Sequence, residues 1–215
     1  MERTKMFDFI SDLNDYFCTF YTAYDKICTL PGYKMPKMHD VREENGRRYT
    51  YTLPEETMNL CNQANKAELL TKLKERLVDN TFSFSFLPMN IFSQIGNLFS
   101  KEGFFKVLKG MLAKYKLSEE EAGKGLDVAT EIWTAICKNQ YLPTKNLILS
   151  LALTAQFSYE DTEKLLAAIG EEFDYSYAKD VVVGYLLQKK VFNADMMEAA
   201  LTEFKVENLF IKKNA

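Results

Sequence analysis

The stretch Leu117-Ser118-Glu119-Glu120-Glu121-Ala122-Gly123-Lys124-Gly125-Leu126-Asp127-Val128-Ala129-Thr130-Glu131-Ile132-Trp133 decides how this chain folds. Ser118 and Glu121 have the three-residue spacing of a capping box, in which a hydroxyl and a carboxylate each satisfy an amide that the first helical turn leaves open. A short helix therefore starts there. Its small residues Ala122 and Gly123 let a second helix approach closely, and Gly125 to Val128 reads as the turn between the two. The next helix is expected from about Ala129 to Lys138, with Val128, Ile132, Trp133 and Ile136 facing inward.

Working outward from this pair, Phe104, Phe105, Leu108, Met111, Leu112 and Tyr115 form an apolar stripe on a preceding helix. Downstream, Pro143-Thr144 introduces a helix carrying Leu147, Ile148, Leu151 and Ala152, and Ser158 with Asp161 caps another that runs to Gly170. Two more helices follow. Val181, Val182, Tyr185 and Leu186 line the first; Asn193 caps the second, which carries Met196, Met197, Ala200, Leu201 and Phe204. Both are expected to pack on the five-helix unit as an extension.

Upstream, Met6, Phe7, Ile10, Leu13, Phe17, Phe20, Tyr21, Tyr24 and Cys28 recur at three- and four-residue intervals, which predicts one long helix until Pro31-Gly32 stops it. Its face is unusually aromatic. Asn45-Gly46, between Asp40 to Glu44 and Arg47 to Thr52, is the pair that favours a tight turn and predicts a small two-stranded ribbon. Thr52-Leu53-Pro54-Glu55 then reads as a helix start, with Met58, Cys61, Leu69, Leu70, Leu73 and Leu77 on its buried face up to about Asn80. Alternation of Phe82, Phe84 and Phe86 predicts an extended segment ended by Pro88, after which Ile91, Phe92, Ile95, Leu98 and Phe99 return to helical spacing. The expected organisation is all-α: a helix-turn-helix bundle over residues 101–215, preceded by a helical hairpin and a small β-hairpin within residues 1–100.

The segments Leu117 to Gly123, Leu126-Asp127-Val128, Ala129 to Cys137, Lys138 to Tyr141, Pro143-Thr144 and Gln156 to Asp161 resemble, in order and length, the DNA-binding domain of the Cro and phage-repressor class, the XRE-like helix-turn-helix family. Residues 142–170 and 177–204 look like a variant of that domain found C-terminal to other modules in many Firmicutes proteins, which extends the resemblance to about residue 211. The resemblance implies that the helix from Ala129 enters the major groove, presenting Thr130, Glu131, Thr134 and Lys138, while Lys124 and Lys145, with Lys114 and Lys116, meet phosphates. Against that reading, no arginine lies on this helix, and Glu131 repels phosphate although it can accept from cytosine.

Composition narrows the function. With 47% hydrophobic residues the chain has ample material for a core, and its net charge of −3 lacks the basic excess of proteins held to nucleic acid mainly by phosphate neutralisation. Only residues 101–145 are basic, with 8 Lys/Arg against 6 Asp/Glu. Cys18, Cys28, Cys61 and Cys137 form no C-x-x-C pair and read as reduced thiols of a cytoplasmic protein. The acids within residues 1–17 interrupt any secretory hydrophobic segment, and Pro88 with its polar neighbours makes residues 80–100 a poor membrane span. The one histidine, His39, has no nucleophile beside it, and no phosphate loop, dinucleotide fingerprint or zinc spacing occurs, so a non-enzymatic chain without cofactor or metal is expected. Two functions remain. One is a regulator that binds DNA and dimerises or senses a partner through its N-terminal aromatic face, Phe17, Phe20, Tyr21 and Tyr24. The other is a protein-interaction module that uses the same scaffold and no longer reads DNA.

Overall fold

The computed structural model describes residues 2–35, 39–52, 58–81, 86–88 and 103–212. Among these the chain is mainly helical, with a two-stranded antiparallel hairpin and one further short strand pair. The boundary expected near residue 100 and the helix expected over Ile91 to Phe99 lie outside the described residues, as do Phe82 and Phe84.

Helix α1, Glu2–Phe20, buries Phe9, Leu13, Phe17 and Cys18. The continuous helix expected up to Pro31 does not form. The chain leaves helical geometry after Phe20: the Thr22 amide donates to the carbonyl of Tyr175 at 3.0 Å, and a short α2, Tyr24–Cys28, resumes. The apolar spacing runs straight through this break because Tyr21, Ala23 and Ile27 are buried on both sides of it. Strands β1, His39–Glu44, and β2, Arg47–Thr52, form the expected hairpin, with Glu44 opposite Arg47 and His39 opposite Thr52. Asn45 and Gly46 take φ of 53° and 71°, the left-handed pair that a two-residue turn of this hand requires.

The helix start expected at Leu53-Pro54-Glu55 lies outside the described residues; Thr52 ends β2, Met58 is helical, and helix α3, Lys66–Arg76, follows. Residues 59–65 are turns fastened to the loop before β1: Gln63 donates to the Lys34 carbonyl at 2.6 Å and accepts from the Lys34 amide at 3.2 Å. Strand β3, Leu87–Pro88, pairs with β4, Tyr141–Leu142.

The remaining helices are α4, Phe104–Tyr115; α5, Glu119–Lys124; α6, Thr130–Cys137; α7, Lys145–Thr154; α8, Tyr159–Ala167; α9, Ala178–Gln188; and α10, Ala194–Glu203. Four of their starts are capped by the residues the sequence marks. The side chains of Ser118, Thr144, Ser158 and Asn193 accept from the amides of Glu121, Leu147, Asp161 and Met196, and the Ser118 amide donates back to Glu121 at 2.8 Å. Each such cap contributes on the order of 1 kcal/mol.

Helix α9 departs from expectation. Rather than extending the bundle at its margin, it is buried without interruption from Lys179 to Leu187 and packs against α1, α7, α8 and α10. A helix that is apolar all round belongs in the middle of a core. It also ties the N-terminal elements in: Tyr185 donates to Asp12 on α1 at 2.8 Å, and Phe17 on α1 stacks on Phe204, just past α10, at 4.3 Å between centroids. No helix among the described residues is long and apolar enough to cross a membrane.

Candidate functional site: the face of α5, the turn and α6

Gly123 has to be glycine because a Cβ there would lie 2.6 Å from Cδ1 of Trp133, well inside van der Waals contact. The indole therefore lies flat against α5, and its Nε1 donates to the Glu119 carbonyl at 2.7 Å. This bond locks the angle between the two helices and turns Trp133 and Ile136 inward, as their spacing predicts. Gly125 is equally constrained by Thr154 of α7, 2.8 Å from where its Cβ would stand.

The turn is braced by a segment that the sequence reading passes over. Residues 206–212 run back across it: the Asp127 amide donates to the Phe210 carbonyl at 2.9 Å, the Lys212 amide donates to the Gly125 carbonyl at 3.1 Å, and Leu126 bridges Ile211. The Phe210 amide in turn donates to Ser150 Oγ at 2.8 Å, anchoring the strap to α7. The apolar triplet Leu209-Phe210-Ile211 was the available signal, but three residues are too few to show a period.

What the face presents is now definable. Thr130, Glu131, Lys138 and Lys124 are exposed and Thr134 half-buried, and of these Thr130, Thr134 and Lys124 are brought together on one groove. That groove, of about 510 Å³, is also lined by Trp133, Val128 and Glu119. The acids Glu119, Glu120, Asp127 and Glu131 are exposed around the start of α6, where a phosphate would have to approach. Lys145 is not on this surface. Its ammonium pairs with the buried carboxylate of Asp180 and donates to the Glu172 carbonyl at 2.6 Å, beneath a different cleft lined also by Glu171 and Asp174. Lys114 is likewise committed, to the buried Asp161 of α8.

Two junctions carry these commitments. At the first, Asp161 accepts from Tyr115 Oη at 2.8 Å and from Lys164 at 3.1 Å in addition to Lys114. Burial alone would raise the Asp161 carboxyl, but these donors overcome it and hold the group down at about 2. At the second, among the described residues Asp180 accepts from Lys145 and the Asp174 amide, and burial pushes it above the ordinary carboxylate range. Lys179 beside it is lowered by burial while pairing with Asp79 at 2.9 Å.

The aromatic partner-binding face expected on the N-terminal helix separates into two halves. Phe17 and Tyr21 are core residues, stacked on each other at 4.6 Å and sealed by Phe204. Phe20 is exposed, packing on Tyr16 at 4.4 Å between centroids, and Tyr24 is half-buried. The thiols of Cys18 and Cys137 are buried and pushed up to about 11 and about 12. No family model matches this chain, and no match was found among curated proteins or solved structures.

Proposed function

We propose that this chain is a non-enzymatic protein-interaction module built on a helix-turn-helix scaffold of the XRE-like kind, whose recognition-type helix docks a protein rather than reading DNA. The observation that carries this reading is the commitment of Lys145 to Asp180; the more exposed Lys114 also has its ammonium paired, with Asp161. Five phosphate contacts would give binding a salt slope of about −4.5, at about −0.9 per neutralised phosphate. Withdrawing two leaves about −2.7, a weaker electrostatic hold on a duplex. The exposed acids around the start of α6 oppose even that remainder.

The same surface suits a basic partner. An apolar side chain entering the groove beside Trp133 and Val128 would bring flanking cations against Glu119, Glu120 and Glu131. Catalysis finds no support in the buried, fully protonated thiols of Cys18 and Cys137.

The test is binding to a pool of genomic duplex fragments across a salt series, with the Thr130→Ala/Thr134→Ala variant alongside. The expected result is weak retention at low salt only, without sequence enrichment and unchanged in the variant. Selective, salt-sensitive enrichment that the variant loses would overturn the proposal in favour of a DNA-binding regulator.

A further inference from the structure

Among the described residues, 41–50 of the β1–β2 hairpin lend nothing to the core. Residues 41–50 are all exposed, Val41 at 53% and Tyr49 at 52%, and a two-stranded ribbon by itself is marginally stable in water. No backbone bond from another described residue reaches its outer edges, and such an edge is where another strand adds. In a two-residue hairpin closed by the pair Glu44 and Arg47, pairs alternate along the ladder, so the amides and carbonyls at positions 39, 41 and 43 point away from β2.

We infer that β1 is a self-association edge, and that two copies of this chain join there through an antiparallel β1–β1 pairing centred on Val41. The charge pattern selects both the occupant and the register. A twofold axis normal to the sheet must pass through a residue facing its own copy. Centred on position 40, 42, 43 or 44, it sets aspartate, arginine or glutamate against itself. Centred on 41, it places valine against valine, the aspartate at 40 against the arginine at 42, and the histidine at 39 against the glutamate at 43, each twice by symmetry. The outward backbone groups at 39, 41 and 43 are those this register hydrogen-bonds.

Across the resulting four-stranded sheet one row reads Tyr49, Arg42, then Asp40 and Tyr51 of the second copy, since Arg42 stands opposite Tyr49 and Asp40 opposite Tyr51 within each hairpin. The assembly closes at two copies, because the outer β2 edges carry Arg47 and Arg48 as their only charges and repel further addition. The dimer does not depend on which partner α6 docks.

Sedimentation velocity of the full chain over a concentration series tests this, using the wild type, Asp40→Arg, Arg42→Glu and an equimolar mixture of the two variants. The wild type is expected to show a monomer–dimer equilibrium. Each variant alone meets like charge at both symmetric contacts and dimerises about tenfold more weakly. The mixture restores arginine against glutamate and arginine against aspartate, and recovers wild-type affinity. A wild type that stays monomeric, a dimer that neither variant weakens, or a mixture that fails to recover would each overturn the inference.

Discussion

Asp161 and Asp180 both expose almost no side-chain surface in the C-terminal half, yet their surroundings push them in opposite directions. The α4–α8 junction supplies Asp161 with two ammonium groups and a phenol. The α7–α9 junction supplies Asp180 with one ammonium and one amide, and adds a second buried pair, Lys179 with Asp79, beside it. Asp161 lies shallow beneath two exposed lysines while Asp180 lies deep, so depth and the number of donors together decide whether the charged form gains or loses. The first junction is satisfied by local geometry, since Lys114, Tyr115, Asp161 and Lys164 sit on two packed helices. The second gathers groups from α7, α9, the segment after α3 and the strap, where the Glu207 amide donates to Asp79 at 2.8 Å.

The sharpest way to break the contrast is Lys179→Met. It leaves Asp79 buried without its counter-charge, held only by the Thr81 amide and hydroxyl and the Glu207 amide, and is expected to cost about 3 kcal/mol by chemical denaturation. Adding Asp79→Leu to it should restore most of that loss, as apolar replacement of a whole buried pair commonly does. Asp161→Asn comes next. It removes a carboxylate that accepts several charge-assisted bonds and is expected to cost about 2 kcal/mol at neutral pH.

Acid titration separates the two junctions by sign. Asp161 has a folded pKa below its unfolded value near 3.8, so its contribution is present above that pH and is lost as pH falls toward about 2. Asp180 is raised, so its penalty grows as pH rises from 3.8 through its folded value, and acidification relieves it. Unfolding followed between pH 5 and 2 should therefore show a downward step that Asp161→Asn lacks. Asp180→Asn should be the mildest change, on the order of 1 kcal/mol, and should abolish the relief on acidification.

Local chemistry was legible in the sequence where a residue acts on its near neighbours. Ser118, Thr144, Ser158 and Asn193 cap because each reaches an amide three residues ahead, and Asn45-Gly46 turns because of its own backbone preference. Relations across the fold left no such trace. The apolar period of the first helix continues through the break at Tyr21, since a core on both sides of a kink keeps the same spacing. Phe17 and Tyr21 read as a surface for a partner because periodicity marks which residues share a face and not what covers it. Lys145 read as a phosphate ligand because nothing near it in sequence announces Asp180, thirty-five positions on. The central place of α9 was visible only in hindsight, in the unbroken apolar run from Val181 to Val183.

The strap over the α5–α6 turn also sets an order of events during synthesis. The amide of Asp127 and the carbonyl of Gly125 meet their partners only after residues 210 and 212 leave the ribosome. At about 5–20 residues per second, roughly four to seventeen seconds separate the two ends of that contact. Through that interval the nascent chain carries Leu126, fully buried in the finished fold, without the strand that closes over it. The face of α5, the turn and α6 is thus completed only after the helices beneath it have been made.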